Sequence, residues 1–412
     1  MKFKMNQDYW LLSGAFFSFF LTWSFAFSLF PIWLNQTIGL TGEQTGLVFS
    51  VNSITSLCIM PCYGYVQDKL GLKKQLLFFV GAMLLLSGPF LIYVYAPLLT
   101  VNLILAAVVG GVFFGVAFGA GVGALETYIE RVSRVVGFEF GKARMWGSLG
   151  WATATFFAGY LFNINPNINF VAASFCGVIF IIFVFMVRSI NHPDAEAKTN
   201  NPGPLKVQDA LHVLAIPQFW ALATFVMGVA CIYGVYDQQF AVFFAAQFES
   251  LEQGNAMFGY LNSFQVFLEA GGMFLAPFLV NRIGAKNGLI LSGAVMALRI
   301  LGSGFADGPL EISVMKLLHA VELPILLISL FKYISVTFDA RLSATIYIVG
   351  FQLMSQFVSS FLSIVVGKMY DTIGFAESYK ILGVIVLAFV VLSHFLLSDN
   401  LAKNREDSPQ PF

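Results

Sequence analysis

The chain has 412 residues, 22 of them basic and 22 acidic, and only 11% are charged, against about 25% in ordinary soluble domains. Hydrophobic residues make up 58%, and apolar runs of about 20 residues, long enough to cross a hydrocarbon core of ~30 Å, recur along the whole length. A soluble globule is excluded, and the reading is an all-α polytopic membrane protein. The four cysteines, Cys58, Cys62, Cys176 and Cys231, all fall in apolar runs, where cysteine is a small packing residue and not a ligand or half of a disulfide.

The first run, Trp10–Leu34, is too long for a signal-peptide core and has no small-residue cleavage pattern behind it, so it reads as a retained span. Further spans are predicted at Gly46–Gln67, Gln75–Tyr95, Asn102–Glu130, Ala143–Phe162, Phe170–Val187, Trp220–Phe244, Phe258–Val280, Gly288–Phe305, Glu311–Phe331, Leu342–Val366 and Tyr379–Leu397, twelve in all. The connecting segments alternate in charge. Of the 22 basic residues, 17 lie in segments on one side, Lys368 and Lys380 lie on the other, and Arg144, Arg299 and Lys316 belong to spans. The positive-inside rule therefore places both termini in the cytoplasm and the protein in the cytoplasmic membrane.

Between the sixth and seventh spans lies the longest polar stretch, rich in Asn, Pro and Gly, which reads as a solvated linker over residues 188–217. It divides the chain into an N-terminal bundle of six helices, residues 1–187, and a C-terminal bundle of six, residues 218–412, with a short tail. After the second span comes Gly64-x-x-x-Asp68-Lys69-x-Gly71-x-Lys73-Lys74, and 213 residues later, after the eighth, comes Asn281-Arg282-x-Gly284-x-Lys286. Each turn needs glycine for a tight connection and basic residues for the cytoplasmic face. Two copies at equivalent spans indicate parallel repeats around a central cavity.

This turn in a twelve-span layout resembles the major facilitator superfamily. Within it, Glu126…Arg144…Trp151, Tyr233-x-x-x-Asp237-Gln238-Gln239, Asn281-Arg282-Ile283-Gly284, Arg299 and Lys316-x-x-His319-x-x-Glu322 resemble the oligosaccharide:proton symporters, the lactose, raffinose and sucrose permeases. The resemblance covers nearly the full length. It implies two pseudo-symmetric six-helix bundles rocking about a sugar site near the midplane. It also implies sugar binding by Glu126, Arg144, Trp151 and His319, with Gly64, Asp68, Lys69, Gly71, Arg282 and Gly284 in the conformational turns.

The intramembrane charges point to function independently of family. Each costs several kcal/mol in hydrocarbon unless it is paired or faces water. At 1.5 Å per residue Glu322 lies about 16 Å from Glu311 and about 15 Å from Lys332, near the bilayer centre. Glu269 is similarly central in the eighth span. Lys316, His319 and Glu322 are spaced i, i+3, i+6, within an arc of about 120° on one helix. Buried ion pairs that fix helix packing are one reading of such groups, and Lys316 with Asp237 fits it best. Glu322 fits it worst: a midplane carboxylate can shed its charge by taking a proton, with Arg299, His319, Tyr233 and Lys316 as its expected company in coupling.

Glu126 and Arg144 offer acceptors and a planar fork of donors, the chemistry that adjacent sugar hydroxyls require. Trp151 follows Arg144 by two turns and can lie against the apolar face of a pyranose. Glu269 and Asp237 complete the expected substrate contacts. Two departures from the lactose permeases bear on substrate. Gly234 and Ser355 stand where those permeases have an acid and a lysine. Val266 stands where they have a glutamate, the acid appearing three residues later as Glu269, about 4.5 Å along the axis. The segment Asn262-Ser263-Phe264-Gln265-Val266-x-Leu268-Glu269-Ala270 is similar to the sucrose permeases.

The glycines Gly110, Gly111, Gly115, Gly119, Gly121 and Gly123 lie in an apolar run without a Gly-Lys-Ser/Thr ending, and read as close helix packing and not a phosphate loop. Without a metal-ligand cluster, nucleophilic triad or nucleic-acid patch, the chain reads as no enzyme and needs no cofactor beyond the proton as coupling ion. The expectation is a monomeric proton-coupled importer in the lipid bilayer. Its substrate is a disaccharide, sucrose first and a galactoside such as lactose, melibiose or raffinose second. An uncoupled facilitator or pore is the rival reading.

Overall fold

The computed structural model describes residues 7–187, 213–339 and 342–398. Its helical spans are numbered in chain order: α1 Gln7–Ile38, α2 Gly42–Leu70, α3 Gln75–Val101, α4 Leu103–Val136, α5 Phe140–Ile164, α6 Pro166–Met186, α7 Pro217–Ala245, α8 Leu251–Ile283, α9 Ala285–Phe305 and α10 Pro309–Thr337. The stretch Thr345–Leu396 is two spans. Gly374, at φ 80° and ψ 166°, leaves the helical region where a side chain would be strained and separates α11 from α12. Ten stretches are long and apolar enough to cross a membrane. Dividing the last at Gly374 and adding α5, which Gly, Ser and Thr make less apolar along its length, gives the twelve spans expected.

Local signals place the helix ends. Thr41 starts α2 with a reciprocal capping box, accepting from the Gln44 amide at 3.3 Å while Gln44 Oε1 accepts from the Thr41 amide at 3.0 Å. Asn102 caps α4 by accepting from the Leu105 amide at 3.0 Å, and Pro166, Pro217 and Pro309 fill the first turns of their helices. Short π-helical turns interrupt α4 at Gly115–Gly119, α7 at Val226–Cys231 and α11 at Ile348–Leu353. Each inserts an extra residue, rotating the chain that follows.

The described chain gathers into two compact units. The first contains α1–α6 together with Gln238–Phe267 and Ser363–Asp371; the second contains Leu205–Asp237, Leu268–Leu362 and the chain from Thr372 onward. In the first, α1 packs on α5 and α6, and α3 on α6. Small residues permit the approach: a Cβ added at Gly150 would lie 2.3 Å from the Phe17 carbonyl, and one at Gly177 2.7 Å from the Leu84 backbone. In the second, α9 packs on α10, with Gly288 against the Ser329 hydroxyl. Close packing through small residues is what holds helices together where lipid removes the hydrophobic difference between inside and outside. The outward faces carry Phe185, Phe274, Phe278 and Phe395, each at least 69% exposed, a surface that suits hydrocarbon and not water.

Both repeat turns have glycine where the chain must reverse. Gly71 takes φ 57° at the end of α2 and Gly284 takes φ 89° between α8 and α9. Lys69 lies over the Tyr65 ring at 4.5 Å. Space around Gly64 is open, and Arg282 is exposed. Asp68 lies within α2, and its side chain falls outside the described residues, as does the linker at 188–212.

Candidate functional site

In the first unit α4 and α5 bring the expected pair together: Arg144 Nε donates to Glu126 Oε1 at 2.6 Å. Both side chains are about one-third exposed, 33% and 36%, so the pair stands at an accessible wall with hydrogen-bonding capacity left over. The Arg144 guanidinium lies over the Phe20 ring at 4.4 Å. Gly147 makes this possible, since a Cβ there would meet the Phe20 ring at 2.7 Å and the guanidinium at 3.0 Å. Two turns further along α5, Trp151 meets Trp23 edge to face at 5.7 Å, and the Ser24 hydroxyl donates to the Trp151 carbonyl at 3.1 Å. Trp23 is itself stacked on Phe118 at 6.0 Å.

Phe20, Trp23 and Ser24 of α1 were not among the residues that the sequence singled out. Phe20 and Trp23 have helical i, i+3 spacing, the one available signal, and it is lost in a segment crowded with aromatic residues.

In the second unit α7, α9 and α10 build a buried charge cluster. The Tyr233 hydroxyl is its hub: it donates to Glu322 Oε1, accepts from Arg299 Nη1 and meets His319 Nδ1. Arg299 Nη1 also donates to Glu322 Oε1 at 3.1 Å, and His319 Nδ1 lies 3.0 Å from the same oxygen. The imidazole is stacked on the Tyr233 ring at 5.8 Å. Arg299 and Glu322 are both 0% exposed. The second carboxylate oxygen, Oε2, is buried and accepts no hydrogen bond among the described residues. Such a cluster in a low-dielectric setting holds its ions only because they are paired and hydrogen-bonded to one another.

Asp237 accepts from Arg299 Nη2 at 2.8 Å, so the guanidinium bridges two carboxylates. Its expected partner Lys316 is buried, in the electrostatic field of both Asp237 and Arg299. The predicted polar face of α10 is therefore present, with Lys316, His319 and Glu322 all turned inward. The helix runs on through it: Leu318, between Pro309–Leu317 and His319–Thr337, keeps right-handed helical dihedrals of φ −57° and ψ −25°, and its amide donates to the Val314 carbonyl at 3.2 Å. Pro324 lacks the amide that would bond the Ala320 carbonyl. That carbonyl faces α8, where a Cβ at Gly272 would lie 2.6 Å from it. Glu269, half-buried, precedes Gly272 by three residues and so lies within about 60° of the α10-facing side of α8. At the departures, Ser355 Oγ accepts from Cys231 Sγ at 3.8 Å, and space around Gly234 is open.

Among the described residues no group of three His, Cys, Asp or Glu side chains is placed to hold a metal ion. What the geometry offers instead is a carboxylate that can take a proton and a polar pair beside an aromatic wall. Helices of this number, with ionisable groups buried between them, define an all-α multi-pass membrane protein. The same fold is found in the nucleoside transporter NupG, with a TM-score of 0.80 over 96% of this chain and 100% of that one at 15% identity. The chain belongs to the LacY proton/sugar symporter family, whose model matches residues 1–407. It is 41% identical to the raffinose permease of Escherichia coli over 96% of this chain and 94% of that protein. It is 44% identical to the lactose permease of Klebsiella oxytoca, covering 90% of each. It is 42% identical to the sucrose permease of Escherichia coli over 98% of this chain and 97% of that protein. The chain is a proton/sugar symporter.

Proposed function

We propose that this symporter takes up a disaccharide with protons by alternating access, that sucrose is its preferred sugar, and that it works as a monomer in the cytoplasmic membrane with both termini cytoplasmic. The observation that carries the coupling is Glu322, wholly buried, with Oε1 held by Tyr233 and Arg299 and Oε2 accepting no bond among the described residues. A proton on Oε2 removes the negative charge that faces Arg299, and leaves the guanidinium to Asp237. Loss of that proton restores the attraction. The cluster thus has two charge states with different internal bonds, which is what a coupling site requires.

Sugar binding falls to Glu126, Arg144 and Trp151 in the first unit and to His319, Asp237 and Glu269 in the second. Overall identity to lactose and sucrose permeases is nearly the same, 44% and 42%, so particular positions have to decide. Glu269 in place of an acid at Val266, with Gly234 and Ser355 neutral together, supports the sucrose reading. A carboxylate moved by about 4.5 Å reaches different hydroxyls, and specificity follows from which buried polar groups a substrate leaves unpaired. The Glu126–Arg144 pair with Trp151, which the resemblance assigns to sugar binding in the related permeases, supports the second reading, a galactoside.

Competition decides between them. In proteoliposomes under an imposed proton gradient, unlabelled sucrose should inhibit labelled-sugar uptake at concentrations at least tenfold lower than lactose. The double change Val266→Glu with Glu269→Asn should erode that preference. Lactose competing better than sucrose in the unmodified chain overturns the sugar assignment and leaves the coupling reading in place.

A further inference from the structure

Two tyrosines of α7 approach Arg299, and their hydroxyls have different partners. The ring centroids of Tyr233 and Tyr236 lie 5.2 and 5.4 Å from the guanidinium Cζ, and the two residues are one turn apart on the same side of α7. The Tyr233 hydroxyl belongs to the Glu322 cluster. The Tyr236 hydroxyl is bonded instead to Ser303 Oγ at 2.8 Å. Ser303 follows Arg299 by one turn on α9, and its own hydroxyl donates to the Arg299 carbonyl at 2.8 Å. A serine hydroxyl has a single proton. With that proton on the carbonyl, Tyr236 is the donor to Ser303, and the link runs from Tyr236 through Ser303 to the backbone of Arg299. Tyr379 of α12 meets the Tyr236 ring edge to face at 4.7 Å and acts electrostatically on Arg299. Tyr236, Arg299, Ser303 and Tyr379 are all 0% exposed, and all belong to the second compact unit.

The guanidinium therefore has one side that changes with the proton and one that does not. A proton on Glu322 weakens the ion pair at Nη1, and a long cationic side chain in a low-dielectric site follows whichever carboxylate stays charged. That carboxylate is Asp237, whose side chain is 44% exposed and already accepts from Nη2; an unrestrained Arg299 would be drawn toward it and toward water. The Tyr236 ring opposes this, because an aromatic face attracts a desolvated cation whatever the charge on Glu322. The ring cannot follow the cation either, since its hydroxyl is tied to the helix that carries Arg299. We propose that Tyr236, anchored through Ser303, is a positioning residue for coupling: it keeps the Arg299 guanidinium beside the Glu322 carboxylate in both charge states, so that the proton and not a displaced cation sets the charge of the site. Tyr233 cannot do the same, because its hydroxyl takes part in the exchange of bonds. The assignment rests on the proton-coupling role of Glu322.

The test compares two modes of transport in the same proteoliposomes, uphill accumulation of labelled sugar under an imposed proton gradient and equilibrium exchange without one. Tyr236→Phe keeps the ring and removes the anchor. Its accumulation ratio should fall about fivefold, the worth of one hydrogen bond, while exchange stays within about twofold of the native rate. Ser303→Ala cuts the same link from the other end; it should match Tyr236→Phe, and serves if that variant does not fold. The double variant should be no worse than either single one, because both remove one shared interaction. Ser303→Thr retains a hydroxyl and should keep the native accumulation. Accumulation and exchange that fall in equal proportion, native accumulation in both Tyr236→Phe and Ser303→Ala, or losses that add in the double variant each overturn the positioning role. Native accumulation in Glu322→Gln beside a selective loss in Tyr236→Phe sinks the reading of Glu322 and leaves Tyr236 as the residue that positions Arg299.

Discussion

Glu322 illustrates how one buried oxygen sets a prediction. Its Oε1 is engaged by Tyr233, Arg299 and His319, so a glutamine can keep an acceptor there while its amide replaces the protonated Oε2. Glu322→Gln should therefore still exchange sugar across the membrane and lose uphill accumulation; accumulation at the native level under a proton gradient would remove Glu322 from the coupling step. Glu126→Ala or Arg144→Ala deletes a charged partner whose hydrogen bonds are worth about 1.5–3 kcal/mol each. Sugar affinity should fall at least tenfold in either. Trp151→Phe should be milder than Trp151→Ala, because a ring still rests against Trp23. Equilibrium binding of labelled sugar checks all four variants, and native affinity throughout would move the site elsewhere.

At the scale of elements, α10 and α7 show what regular geometry conveys and what it does not. The i, i+3, i+6 spacing of Lys316, His319 and Glu322 placed these side chains on one inward face from helical periodicity alone. The approach of the Ala320 carbonyl, which Pro324 leaves open, to Gly272 depends on how α8 packs on α10. In α7 the π-helical turn Val226–Cys231 ends two residues before Tyr233 and rotates it relative to the chain before it, an offset that a uniform 100° per residue does not contain. The pairing of Asp237 is decided at the same level. Lys316 and Arg299 are both cations on neighbouring helices, and Asp237 serves both, accepting from the Arg299 fork and interacting electrostatically with Lys316.

For the whole molecule the alternation of charged and apolar segments carries a topological prediction. With 17 basic residues in segments on one side and only Lys368 and Lys380 in those on the other, the positive-inside rule has both termini and the 188–217 linker facing the cytoplasm. In intact cells, a membrane-impermeant maleimide should leave a single cysteine at Ser398→Cys unlabelled and should label one at Glu377→Cys, exposed in the first turn of α12 after Gly374. The reverse pattern would invert the assigned orientation and with it the direction of uptake.

By itself the sequence determined the twelve spans, the repeated turns, the buried charges and the family. The family was legible in its motifs; the spans, turns and charges follow from composition and local periodicity, because a bilayer demands about 20 apolar residues per crossing and charges every intramembrane ion a penalty that stands out against such a background. Only the tertiary structure decided that Arg299 bridges Glu322 and Asp237, that Trp23 closes on Trp151, and that Tyr236 is bonded to Ser303. These partners are tens to hundreds of residues apart in the chain, and on each helix many side chains of the same type compete for the role. Which of them meet is fixed by where glycine and other small residues let helix backbones approach, a three-dimensional condition that no single span contains.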